Sequence, residues 1–140
     1  MTTAIDTNVL VALWNPNPQL HLAAQSALDE TFSFGPMTVA GAVYAELLAA
    51  PGRDESFLDS FFSQTGILID WDLNEAVWRT AGWAFRDYAA RRIRHREPGP
   101  RRILADFLIG AHALENGYRL LTLDDHLYRA AFPSLKIVRI

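Results

Sequence analysis

Short aliphatic runs alternate along this chain with longer amphipathic stretches, and that alternation leaves few folds open. "TTAID" at 2–6, "ILID" at 67–70, "RLLTL" at 119–123 and "LKIVRI" at 135–140 have the length and apolar content of buried strands. Between them apolar residues step at helical spacing. A helix starts after Asp6 with Val9, Leu10 and Leu13 inward. Residues 19–30 place Leu20, Ala24, Ala27 and Leu28 on one face, and 54–65 place Phe57, Leu58, Phe61 and Phe62. The longest helix, 74–94, carries Val77, Trp78, Ala81, Phe85, Tyr88 and Ala89 along one side. Residues 103–116 and 124–132 complete the set. "TFSF" at 31–34 reads as a second strand, and 38–50 as a helix stopped by Pro51-Gly52. Gly66 ends one helix, Gly117 reads as the left-handed cap of another, and "REPGPRR" at 96–102 is a loop. Strands separated by helices predict a mostly parallel sheet covered on both faces, an α/β/α sandwich. With 140 residues, half of them hydrophobic, the chain suits one domain over 1–140.

The composition narrows the chemistry. There is no cysteine, which excludes disulfides and thiolate metal sites and makes a reducing cytoplasm the expected compartment. The amino terminus lacks a basic region and Asp6 interrupts its apolar run, so no signal peptide is expected. No apolar run reaches the roughly 18 residues of a membrane span. The net charge of −3 argues against indiscriminate nucleic-acid binding, but its distribution is uneven. Arg86, Arg91, Arg92, Arg94, Arg96, Arg101 and Arg102 are seven of the 13 basic residues. Such a cluster serves either phosphate contact or simple solvation of a long helix.

Four acids stand where an apolar chain has little reason to put them. Asp6 and Asp124 each follow a strand, at the carboxyl ends where open parallel sheets bind ligands. Asp6 is equally placed to cap the next helix. Glu46 lies in "VYAELLAA" and Asp106 in "LADFLIGAHA", each the only charge in its stretch. Acids in apolar helices are rarely buried unless paired or bound to metal. The small neighbours Ala42, Ala49 and Ala50 of Glu46, and Gly110 of Asp106, would leave room for an ion and a substrate. Alternatively alanine is a good helix former, and Asp106 favours the helix dipole. Four carboxylates can share a site if a cation offsets their repulsion. Oxygen ligands without cysteine select Mg²⁺ or Mn²⁺ over zinc. An ion of that kind activates water for phosphodiester hydrolysis.

At this point the sequence resembles a known family. "AIDTNVLVAL" at 4–13, "VYAELLAA" at 43–50, "RRILADFLIGAHAL" at 101–114 and "RLLTLDDHLYRAAFP" at 119–133 are similar in order and spacing to the PIN-domain ribonucleases, specifically VapC-type toxins of bacterial toxin–antitoxin pairs. The resemblance implies that Asp6, Glu46, Asp106 and Asp124 form an acidic quartet for Mg²⁺ or Mn²⁺. Thr7, Asn8 and Thr122 would be polar supports. It implies cleavage of cellular RNA that stops translation, a homodimer, and silencing by a cognate VapB-type antitoxin. Where the family often reads Thr-x-Asp-x-Asp-Phe, this chain reads "TLDDHL", which leaves Asp124, Asp125 or both as the last ligand. Asp124 is favoured because it comes first after the strand, and His126 is either a further ligand or proton donor or an exposed helix residue. Arg101 and Arg102, just ahead of Asp106, are the arginines placed to reach RNA phosphates.

The remaining aromatic and histidine residues carry less. Trp71, Trp78 and Trp83 read as core or dimer surface, and His21, His95 and His112 show no ligand spacing. A receiver-like domain, with Asp70 ending its strand, would leave Glu46 and Asp106 without a role. A catalytically silent binding module of the same fold, or a related nuclease acting on DNA or precursor RNA, remains an alternative to the RNA-cleaving toxin.

Overall fold

The computed structural model describes residues 1–95 and 104–140. In chain order they form β1 (Thr3–Ile5), α1 (Thr7–Leu13), α2 (Pro18–Phe34), β2 (Met37–Ala40), α3 (Gly41–Leu48), α4 (Glu55–Thr65), β3 (Leu68–Asp70), α5 (Glu75–His95), α6 (Leu104–Glu115), β4 (Arg119–Thr122), α7 (His126–Ala131) and β5 (Ile137–Arg139). The five strands make one sheet in the order β3-β2-β1-β4-β5, with every pair parallel. Helices flank it, giving the expected α/β/α sandwich. The loop expected at 96–102, with Arg96, Arg101 and Arg102, lies outside the described residues. No helix among the described residues is long and apolar enough to cross a membrane.

The strand order explains where a site can form. From central β1 the chain builds outward through β2 to β3, then crosses back to β4 and continues to β5. The crevice between the carboxyl ends of β1 and β4 is therefore the switch point of the sheet. Ile5 pairs with Leu121 in register, and the Asp6 amide still donates to the Leu121 carbonyl at 3.0 Å. Beyond that bond the two chains part, and their next side chains face the crevice.

The core holds the sheet and α6 together. Ile5, Val9, Leu10, Val39, Val43, Leu47, Leu120 and Leu121 are fully buried around the sheet. On α6 the run Phe107 to Ala113 is buried throughout. Phe107 stacks on Phe85 of α5 with centroids 4.9 Å apart.

Several expectations are corrected. "TFSF" is no strand but the last turn of α2, where the Thr31 hydroxyl donates to the Ala27 carbonyl at 2.7 Å. Phe32 and Phe34 stay exposed there, so the aromatic residues that suggested a strand have no sheet to pack on. The second strand is "MTVA", buried along its length, and the helix expected from 38 starts only at Gly41. Trp71, Trp78 and Trp83 are exposed and not in the core. On α5 the buried side is Val77, Ala81, Ala84 and Tyr88. Gly110 leaves no room for an ion, because Phe132 fills the space: a Cβ there would lie 2.3 Å from Phe132 Cε2. Ala42, Ala49 and Ala50 likewise do not line the crevice. Gly66 and Gly117 do adopt the left-handed conformation, at φ 74° and 70°.

Candidate active site

Asp6 is buried because β1 carries it there, and it remains a carboxylate acceptor because α1 begins there. As the N-cap of α1 its Oδ1 accepts the Thr7 amide at 2.8 Å. From across the crevice Thr122, at the end of β4, donates its hydroxyl to Asp6 Oδ2 at 2.8 Å. The cap reading of Asp6 thus holds, and the same side chain also lines the cleft. Thr122 in turn accepts from Asn8 Nδ2 at 3.3 Å and from the Asp124 amide at 3.2 Å. Asn8 closes the link by accepting the Leu123 amide at 3.2 Å. These bonds tie α1 to the turn after β4. On the other side, Thr7 donates its hydroxyl to Glu46 Oε1 of α3 at 2.6 Å.

A cleft of about 500 Å³ opens over this network. Asp6, Thr7, Asn8, Glu46, Asp106 and Asp124 line its polar part, and Val11, Leu20, Leu127 and Tyr128 part of its apolar wall. Leu20, expected inside α2, is exposed at this wall. All four acids singled out from the sequence therefore share one cleft, and residues 18 to 118 apart in sequence meet there. Asp125 does not line it: it pairs with Arg129 and Arg139, which hold its carboxyl below the ordinary range. His126 is exposed and does not line the cleft. Nor does any described arginine of the 86–102 cluster.

The electrostatics of the cleft are lopsided. Asp6 is 5% exposed, and burial pushes its carboxyl up to about 6 against the pull of its hydroxyl and amide donors. The charge of Asp106 adds to the rise. Among the described residues no cation pairs with Asp6 or Glu46. Tyr128 was not anticipated from the sequence. Its ring is buried, and its hydroxyl lies near Asp6 and favours the ionised carboxylate, yet makes no hydrogen bond of full geometry. The sequence signal was only a tyrosine in the short helix after the last acid.

The donor set can hold a hard divalent cation. Every polar side chain lining the cleft offers oxygen, with no sulfur or imidazole. Among the described residues no three acidic or histidine side chains converge into a ready cage. Mg²⁺ needs none, since it takes one or two carboxylates and keeps water and phosphate as its other ligands. Asp6 and Asp106, close enough that the Asp106 charge raises the Asp6 carboxyl, could supply those carboxylates.

His112 and Asp70 form a second polar pair away from the cleft. His112 is fully buried on α6, with Nε2 2.9 Å from Asp70 Oδ2 at the end of β3.

Solved structures with this fold are known. The chain is similar to VapBC2 from Rickettsia felis, solved bound to a DNA fragment from their promoter, with 18% identity, a TM-score of 0.66 and coverage of 100% and 99% of the two chains. It is similar to VapBC-1 from nontypeable Haemophilus influenzae, with 18% identity, a TM-score of 0.68 and coverage of 99% and 98%. It is also similar to FitAcB from Neisseria gonorrhoeae, with 21% identity, a TM-score of 0.61 and coverage of 98% and 96%. No curated protein sequence matches it. The PIN domain family model, in contrast, matches residues 3–133, and the chain belongs to the PIN domain family.

Proposed function

We propose that this chain is a Mg²⁺- or Mn²⁺-dependent endoribonuclease toxin of the VapC type, neutralised by a cognate VapB-type antitoxin. The observation that carries the reading is the buried Asp6, raised in pKa and lacking any described cation partner, in one cleft with Asp106, Glu46 and Asp124. A bound cation supplies charge for the scissile phosphate and acidifies the attacking water. The chain's own residues do the rest. Asp6 and Asp106 hold the ion, Glu46 and Asp124 complete the acidic wall, and Thr7 fixes the Glu46 carboxylate. Thr122 and Asn8 lock the two strand ends so that the carboxylates keep their spacing. Asp124 is assigned to the site in preference to Asp125, whose carboxylate is held by arginines.

The partners follow from the same reading. RNA is the substrate, with Arg101 and Arg102 contacting its backbone ahead of Asp106. The VapBC neighbours support a toxin that works with a bound antitoxin. Exposed Trp71, Trp78 and Trp83 support a homodimer surface. A cytoplasmic location suits a toxin that acts on cellular RNA.

The test is cleavage of total cellular RNA by the purified chain with Mg²⁺ or Mn²⁺, against EDTA and against Asp106→Asn. Metal-dependent cutting that the variant loses supports the reading, and mapping the ends identifies the RNA. A folded protein that cuts no RNA with either metal overturns it. Cleavage of DNA instead would move the assignment to a DNA nuclease.

A further inference from the structure

Tyr128 brings a polar atom into the cleft that the fold itself leaves unused. The residue is 2% exposed, and its hydroxyl is buried with no hydrogen-bond partner of full geometry among the described residues. Such an orphan costs stability, and phenylalanine would fill the same space without it. Tyr128 lines the same cleft as Asp6, Asp106 and Glu46, whose carboxylates are acceptors.

The Asp6 carboxylate has a place for that donor. A carboxylate offers about four acceptor directions. The Thr7 amide takes one on Oδ1 and the Thr122 hydroxyl one on Oδ2. One remaining direction suffices for a cation and one for a third hydrogen bond.

We propose that Tyr128 is a positioning residue of the ion site, whose hydroxyl completes the hydrogen bonding of the Asp6 carboxylate when a divalent cation is bound. This rests on the cation-dependent reading given above. Tyr128 acts through Asp6, orienting the carboxylate. In the ion-free protein the hydroxyl lies beside Asp6 without a hydrogen bond of full geometry, and in the loaded one it makes that bond.

That difference separates a positioning role from a packing role. The experiment compares the full chain with Tyr128→Phe, measuring Mn²⁺ binding by titration calorimetry and thermal melting in EDTA. The expected result is a melting temperature in EDTA equal to or above that of the parent, with Mn²⁺ affinity weakened about tenfold, as for loss of other groups that support metal ligands. A lowered melting temperature with unchanged affinity overturns the proposal and makes the hydroxyl structural. Parent-like values in both measurements overturn it as well. A Tyr128→Phe chain that fails to fold also overturns it, because a hydroxyl without a full hydrogen bond in the empty protein cannot be needed for folding. If the parent chain itself binds no Mn²⁺, the cation-dependent reading falls and the proposal with it, an outcome distinct from equal binding by both proteins.

Discussion

Asp106 and His112 sit on the same helix, α6, less than two turns apart, yet their surroundings differ in every respect. Asp106, in the first turn, is half-exposed and faces the cleft. His112 is sealed in the core and holds Asp70 at 2.9 Å. At His112 the fold supplies a counterpart for Nε2, whereas Nδ1 is buried with no hydrogen-bond partner among the described residues. Around Asp106 and Asp6 the fold gathers like charges, and the buried member responds with a raised pKa. A pair of opposite polarity closes one end of α6, and one sign of charge accumulates at the other.

The largest effect should come from breaking the sealed half. His112→Ala should lower stability by about 2–4 kcal/mol, through the cavity and the loss of the Asp70 bond. Denaturant unfolding would read this, and a variant as stable as the parent would remove the contrast between the two halves. Gly110→Ala should cost about 1–3 kcal/mol by forcing a methyl against the Phe132 ring. Adding Phe132→Leu should recover part of the loss, because the clash is between those two side chains. Additive losses would place the strain elsewhere.

The open half should respond in the opposite direction. Asp6 is raised from 3.8 to about 6 in the fold, so the native state binds a proton that the unfolded chain has already lost. That contribution to stability is fully present below about pH 4 and disappears as pH rises through about 6. In EDTA, Asp6→Asn should therefore be up to about 3 kcal/mol more stable than the parent at pH 8, with the gap shrinking toward pH 4. Melting curves across that range test it, and a pH-independent gap would show that the burial of charge is not the cause. The same variant should lose metal-dependent RNA cleavage. At the small end, Asp125→Asn should leave Mn²⁺ binding intact whereas Asp124→Asn weakens it. Equal loss in both would mean that Asp125 leaves its arginines for the ion.

Much of this was legible in the chain. The strand-helix alternation predicts the layered sheet, because burial on both faces of a central parallel strand demands apolar residues, as at Leu120 and Leu121 in "RLLTL"; "ILID", expected to be buried, instead forms the edge strand β3, where Leu68 is exposed. The four acids were legible because a charge in an apolar segment needs a reason. "TFSF" misled because strand propensity reports packing opportunity, and at the end of α2 the two phenylalanines find none. Gly110 misled because room beside a residue in sequence is not room in space once Phe132 folds over it. Tyr128 was missed because its ring suits a core helix, and only its hydroxyl marks the site.

The sequence by itself determined the class of fold and the supply of carboxylates, since periodicity and isolated charge are local properties that a single chain displays. Only the tertiary structure decided which acids meet. The crossing from β3 back to β4 sets Thr122 against Asp6 across the switch point, turns Asp125 to its arginines, and aims the Tyr128 hydroxyl at a carboxylate 122 positions away. Those juxtapositions depend on strand order and packing, which bring together residues that no local pattern relates.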